Sequence, residues 1–491
     1  MLVRSAIAAT ASSVYERIIS LIGVALLSRL ITPADIGTFA LCGSIVTLVG
    51  ELLNMGFQFA LISHSRLTAS AIWSHAVLQV AFAATFLMVT IVLRPMTSQL
   101  FGQTSGTILV VLAFTRLIVA IGATSRVLLE RELRFTALGV VNMLAATASV
   151  GLGIVLARRG YGIWALALAA GPPSLIGAAI QAVGYVALWP LSLRRFTINV
   201  PELRWYLAYG RTLWMGGQAF ALSTQLDSII IGTMLGPVPL ALYDRAYRIV
   251  QAAVGVVNQT FGRVALPIYA RLHAHDSGNG RRFQEINAAL LLRLILPGAV
   301  LLTLAASQIT RLLLGPGWEG TAVLLAVLAP YLVFRVLDEN LLAYLLGVRS
   351  NWERTGGWLI VAGVSVIALP IGAVVAGSVG VAAAVGLAMA AGVCWQQHKV
   401  GPGSLTRIAR DGVRPLVIAL TVAAIVLALS RLAWVDGVVE VLVLKTSIVV
   451  LLYVGLLLLF EGSEVRRLVK TFQSAQHFRA VPPAVPLADP I

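Results

Sequence analysis

Along its whole length the chain alternates long apolar runs with short polar connections, and the runs match the thickness of a bilayer core. About 14 can be traced, at approximately 8–30, 36–62, 72–94, 107–126, 137–157, 161–189, 206–233, 239–270, 285–306, 319–346, 357–377, 379–398, 413–432 and 438–460. The division between 357–377 and 379–398 is the faintest, marked only by Gly377, Ser378 and Gly380. The pattern predicts an all-α integral membrane protein, because only a helix satisfies its own backbone inside lipid.

The pattern also recurs. A displacement of 204 residues (237 minus 33) puts Pro33 on Pro237, Phe39 on Tyr243, Asn54 on Asn258 and Phe57 on Phe261. A fixed period marks a duplicated unit, and two such copies in a membrane enclose a central pathway. Within the second run Ser44, Thr47, Glu51, Asn54 and Gln58 follow one another at steps of three and four, so they share one helical face. Their counterparts are Arg248, Gln251, Gly255, Asn258 and Gly262. Two polar or small stripes on equivalent helices read as opposite walls of one hydrated cavity.

Composition agrees with the hydropathy pattern: 59% apolar, 11% charged, mean hydropathy +0.91. The net charge of +16 (36 minus 20) would suggest nucleic acid in a soluble protein, but its distribution excludes that reading. Most of the base falls in connections after even-numbered runs, such as Arg126, Arg131 and Arg134, or Lys399, Arg407, Arg410 and Arg414. The opposite connections hold far less, although Arg158 and Arg159 go against the trend. By the positive-inside rule both termini are cytoplasmic. The first run is too long and too polar for a cleavable signal. Cys42 and Cys394 lie within runs and make neither a disulfide framework nor a metal site. The Pro-rich end, from about 474 to 491, reads as a disordered tail. No connection exceeds roughly 15–20 residues, which leaves no room for the acceptor-holding domain of a glycosyltransferase, ligase or polymerase. No phosphate-binding Walker loop is present. What remains is transport without built-in ATP hydrolysis, with no catalytic residues, metal or organic cofactor expected.

Ionisable groups at membrane depth are costly and therefore face cavities or partners. The first run carries Glu16 and Arg17, which point about 100° apart on a helix yet can border one cavity. The seventh carries Arg211, Gln218 and Asp227; the eighth Asp244, Arg245, Arg248 and Arg263; the ninth Arg293; the tenth Arg335, Asp338 and Glu339. Arginine outnumbers acid, and a planar guanidinium suits phosphate oxygens. Arg245, Arg293 and Arg335 are expected to snorkel to the interface. Glu16, Glu51 and Asp227 are candidates for neutralising arginines or for taking up a coupling proton or sodium ion. His64 and His75 read as interfacial, and Trp73, Trp189, Trp205, Trp318 and Trp434 as an aromatic belt.

Several strings carry a resemblance: SRLITPADIGTFALCGSIVTLVGELLNMGFQFALI, LLERELRFTALGVVN, GYGIWALALA, QLDSIIIGTMLGPVPLALYDRAYRIV running on through NQTFGRVALPIYARL, and LLLGPGWEGTAVLLAVLAP. In this order the chain resembles Wzx-like oligosaccharide flippases of the polysaccharide-transporter type, within the multidrug, oligosaccharidyl-lipid and polysaccharide exporter superfamily. The resemblance implies two six-helix lobes around a central cavity, at 1–195 and 196–400, two additional helices at 401–473, and alternation between inward-open and outward-open forms. It implies a polyprenyl-diphosphate-linked oligosaccharide as substrate, membrane lipids as surroundings, the bacterial inner membrane as location, and polysaccharide polymerase and export machinery as partners. On this reading the diphosphate binds near Arg17, Arg211 and Arg263, with Arg248 and Asp227 on the cavity side, and sugars meet Glu51, Asn54, Gln218 and Asn258. Where related lipid II flippases carry an arginine in the second helix, this chain has Glu51, which departs from their pattern. The rival of the same architecture is an ion-coupled exporter of cationic drugs, which predicts acid-rich, arginine-poor lobes. A non-transporting component or enzyme of polysaccharide assembly is the other alternative.

Overall fold

The computed structural model of the chain describes residues 2–53, 56–64, 66–188, 193, 195–275, 277–348, 350–430 and 437–476. Those residues are helical throughout and include no strand. Residues 1–195, the span expected as a first lobe, hold α1 (Leu2–Leu30), α2 (Pro33–Leu53), α3 (Phe57–Ser63), α4 (Ala69–Phe101), α5 (Gln103–Arg131), α6 (Phe135–Arg158) and α7 (Ile163–Leu188). Residues 196–400, the span expected as a second, hold α8 (Val200–Ile230), a π-helical turn (Ile231–Leu235), α9 (Pro237–His275), α10 (Ser277–Leu304), α11 (Ala306–Leu313), α12 (Glu319–Val327), α13 (Ala329–Gly347) and α14 (Asn351–Val400). Two further helices, α15 (Ser404–Ser430) and α16 (Val438–Gln476), pack against α10.

Among the described residues nine helices are long and apolar enough to cross a membrane, or ten if the pair α12 and α13, bent by 48°, is one span. The protein is therefore a multi-pass membrane protein. The expected count of about 14 is not reproduced by that measure, for identifiable reasons. The long helices α8 and α9, which carry Glu202, Arg204, Arg211, Asp227, Asp244, Arg245 and Arg248, are not among the nine, and the apolar stretch Ile163–Ala179 of α7 is too short. α14 counts once, although its backbone leaves helical geometry at Ala376 and at Gly377, where φ is +59°. That positive φ is accessible to glycine at no steric cost. The chain turns back there so tightly that Gly372 and Gly380 meet backbone to backbone. The faint division in the sequence is thus a real hairpin. The run expected at 36–62 is likewise interrupted, into α2 and α3.

Pro33 and Pro237, the first landmark of the duplication, each stand at the first position of their helix, where a missing N–H costs nothing. α2 packs across the lobe boundary against both α8 and α9. Gly37 meets the backbone of Pro237 so closely that a side chain at Gly37 would overlap its carbonyl. The two halves of the chain are thus packed against each other at the end where α2 and α9 begin. At the same end Trp318, in the turn between α11 and α12, is buried among residues of the first lobe. It does not sit in the aromatic belt that the sequence predicts; its indole N–H donates to the Ser28 carbonyl at 3.0 Å.

Inside the second lobe a buried polar network joins α9, α10, α13 and α14. The Tyr269 hydroxyl donates to Asn340 Oδ1 at 2.5 Å and accepts from Asn287 Nδ2 at 3.0 Å. The Gln284 and Gln397 amides pair with each other at 3.1 Å in both directions. Such a network rewards one register of four helices and penalises any other. Tyr269→Phe removes a hydroxyl that serves both asparagines and should cost about 1–3 kcal/mol. A thermal melt of the purified protein checks this; an unchanged melting temperature would show that the network contributes nothing.

Candidate functional site

A cavity of about 660 Å³ lies between α1 on one side and α9 and α13 on the other. From the first lobe α1 contributes Ser13, Glu16, Arg17, Ser20, Leu21 and Val24, spaced by three and four so that one helical face turns inward. From the second, α9 contributes Arg248, Gln251, Ala252 and Leu266, and α13 contributes Glu339, Leu342, Ala343 and Leu346. The walls thus combine an apolar rim with a band of ionisable groups. Glu16 and Arg17 border the same space although adjacent in sequence, because the cavity wraps round more than a quarter of α1.

The charges in this band are not equally available. Arg248 donates from Nε to both carboxylate oxygens of Asp244, at 3.0 and 2.8 Å, which holds its position one turn along α9. Glu339 is tied to Arg335, which also bonds Asp338 at 2.5 Å and lies 5.4 Å from the Trp358 ring centre. Arg17 has neither a hydrogen bond nor an ion pair among the described residues. The excess of arginine expected from sequence is therefore mostly paired away. Arg245 is buried beside Asp244, Arg293 beside Glu461, and Arg335 beside Asp338 and Glu339. None of the three snorkels, because each has an acid within reach inside the protein and need not seek water.

Other expected site residues are distributed differently. Glu51 and Gln58 face a separate hollow of about 770 Å³ inside the first lobe, with Arg116, Gln79, Asn142, Ser149 and Ser174. Glu51 and Gln58 of the first stripe thus line one hollow, Arg248 and Gln251 of the second line the other, and α2 and α9 pack on each other. Gln218 spans the lobe boundary, donating to the Glu51 carbonyl at 2.7 Å. Asp227 is buried and accepts from the Tyr243 hydroxyl at 2.5 Å; it borders neither cavity. Arg211 is exposed on α8 and also borders neither. Asn54 lies outside the described residues, as do the side chains of Asn258 and Arg263. Trp189, Trp434 and the tail from 477 lie outside them too. His75 is buried rather than interfacial and bonds the Thr124 hydroxyl at 2.9 Å.

Sequence reasoning missed Gln79 and Asn142. Each is a solitary amide inside an apolar run, with no periodic polar neighbours to announce it. In the structure neither has a partner among the described residues, which at membrane depth requires water or a ligand in the hollow they face.

Comparison with known proteins adds three findings. A family profile described as "Polysaccharide biosynthesis protein" matches residues 26–323. The teichuronic acid biosynthesis protein TuaB of Bacillus subtilis (strain 168) is 24% identical over 328 residues, covering 62% of this chain and 66% of that protein. The chain thus spans just under two thirds of the length of that curated relative. Among solved structures, the lipid II flippase MurJ in an inward closed conformation superposes with a TM-score of 0.77 at 14% identity, covering 94% of this chain and all of that one. An inward-facing multidrug resistance MATE family transporter of the MOP superfamily gives 0.62 at 15% identity, over 82% of this chain and 99% of that one. At these identities the structural likeness establishes a shared fold.

Proposed function

We propose that this chain, which belongs to the polysaccharide biosynthesis protein family, is a flippase carrying a polyprenyl-diphosphate-linked oligosaccharide across the bacterial inner membrane. The observation that carries the reading is the cavity between α1, α9 and α13, with Arg17, a guanidinium that has no partner among the described residues, on its wall. A membrane-embedded cation without a counter-ion is expensive, and a diphosphate would relieve that cost with charge-assisted hydrogen bonds. Arg248, fixed by Asp244 through Nε, keeps its outer guanidinium nitrogens for the same headgroup. The prenyl tail stays in lipid. The glycan needs hydrated, hydrogen-bonding surface, which Ser13, Ser20 and Gln251 of the same cavity supply.

The two lobes, with their boundary near residue 196, rock as bodies to alternate access. With both termini cytoplasmic, the closed end where α2 and α9 begin faces outward, so substrate enters from the cytoplasmic side. Of the three acids considered for ion coupling, Glu16 is the one that shares the cavity with Arg17, and it is the candidate for a proton or sodium ion. Polymerase and export machinery would receive the product.

The test is reconstitution in liposomes with a fluorescent polyprenyl-diphosphate oligosaccharide, following its appearance in the far leaflet. Arg17→Ala should slow flipping about tenfold or more, the loss of one charge-assisted contact. Arg467→Ala, on the exposed end of α16, should leave the rate unchanged. Parental rates in Arg17→Ala, or faster movement of a cationic dye than of the lipid, would overturn the reading.

A further inference from the structure

The Arg17 guanidinium rests in a space that exists because Gly255 has no side chain. A Cβ built on Gly255 would overlap Nη1 and Cζ of Arg17. The contact crosses the lobe boundary, from α1 to the middle of α9. Ordinary packing would explain a small residue here, but two further observations point to a more specific use.

The first comes from the duplication. A displacement of 204 residues sets Gly255 on Glu51 (51 plus 204), so the first copy carries a carboxylate at the register where the second carries nothing. A carboxylate at 255 would lie against the Arg17 guanidinium and neutralise it, as Asp244 and Glu461 neutralise Arg245 and Arg293. With glycine there, Arg17 keeps its hydrogen-bonding edge free of partners among the described residues. The second is the arrangement on α9. Arg248, Gln251 and Gly255 follow at steps of three and four and share one face. The seat therefore holds Arg17 about 10 Å along the helix axis from the Cα of Arg248, seven residues at 1.5 Å each. Two long side chains, one from each lobe, can close that gap on a single diphosphate.

We infer that Gly255 is a positioning residue for the anionic headgroup: its missing side chain seats Arg17 on the second lobe and keeps it unpaired. The inference rests on the reading of Arg17 as the headgroup ligand. It has a mechanical consequence. A diphosphate held by Arg17 and Arg248 ties α1 to α9, so occupancy of the site and apposition of the lobes are linked, and each favours the other.

The test is a double-mutant cycle on the affinity of purified protein for dye-labelled, sugar-free farnesyl diphosphate, with Gly255→Ala, Arg17→Ala and the pair. Gly255→Ala should weaken binding about tenfold in the parental protein and by less than about twofold once Arg17 is alanine. Gly255→Glu should weaken it as much as Arg17→Ala does. Gly43→Ala, on a helical glycine with open space around it, controls for the substitution itself and should bind normally, and thermal melts confirm that each variant is folded. Equal losses from Gly255→Ala with and without Arg17 would make Gly255 a packing residue and overturn the inference. So would unchanged binding in Gly255→Ala beside weakened binding in Arg17→Ala, an outcome that leaves the headgroup reading intact. Parental affinity in Arg17→Ala would remove that reading and the inference together.

Discussion

Trp318→Ala is expected to release the lobes from each other at their closed end. The ring is 2% exposed and packs with Ile31, Ile36, Ala165 and Leu166 of the first lobe, although it belongs to the second. Its indole N–H is satisfied by Ser28, and the neighbouring Leu312 carbonyl accepts from Arg29 Nη2 at 2.5 Å. The end of α11 and the turn after it are thus plugged onto α1 by one large side chain and two hydrogen bonds. Truncating a buried tryptophan costs about 3–5 kcal/mol. Here the loss falls on the closed form, because the buried contact lies between lobes rather than within one. A bias of that size shifts a two-state equilibrium by about a hundredfold or more. The measurement is labelling of a single cysteine at Leu21, a cavity-lining position, in a background without Cys42 and Cys394. A membrane-impermeant maleimide added from the side opposite the termini should leave the parental protein unlabelled and label Trp318→Ala. Equal protection in both would show that the plug does not hold the lobes together.

Much of this architecture is legible in the sequence because lipid leaves a chain few options. Apolar runs of spanning length must be helices, so the all-α class follows from hydropathy, and a rigid period follows from duplication. Gly377 and Gly380 place the α14 hairpin because so tight a reversal has few other signals. Partner choice is another matter. Arg245, Arg293 and Arg335 stand near acids that are close in space; for Arg293 that acid is Glu461, 168 residues away (461 minus 293), and no local pattern points to it. Snorkelling is the sensible expectation for a lone arginine, and the tertiary ion pair overrides it. Of the polar stripe expected on one helix, Glu51 and Gln58 line the first-half hollow, but Gln58 stands on α3, beyond the break after α2. Periodicity reports which residues share a side of a helix; it says nothing about which neighbour that side meets. Trp318 shows the same limit, since a tryptophan at the end of a span reads identically whether it floats at the interface or plugs another lobe. Gly255 could be found from sequence only by asking what its copy carries, and the answer, Glu51, gains meaning once Arg17 is seen lying over it.

Glu461→Ala should be the most damaging single change in the C-terminal pair of helices. Arg293 on α10 and Glu461 on α16 meet at 2.9 Å, with side chains 7% and 2% exposed. Arg293 also donates from Nη1 to the Ala289 carbonyl at 2.8 Å, so its guanidinium is fixed in place and cannot swing to water. Removing the carboxylate leaves a buried, uncompensated charge, and such breakages cost about 3–5 kcal/mol. Burying the same area with apolar side chains avoids that penalty, so Arg293→Met combined with Glu461→Leu should recover most of the lost stability. The local consequence is specific: α16 packs on α10 around this pair, with Tyr453 and Val449 in the same buried cluster as Leu296. Loosening it should free α16 before the lobes themselves unfold, since the network around Tyr269 lies within α9, α10, α13 and α14 and is untouched. Limited proteolysis combined with thermal melting reads both effects. Glu461→Ala should be cut early between α15 and α16 and melt at lower temperature, and the double substitution should restore both. If Glu461→Ala resists protease and melts like the parental protein, the ion pair is not what docks α16 on the second lobe.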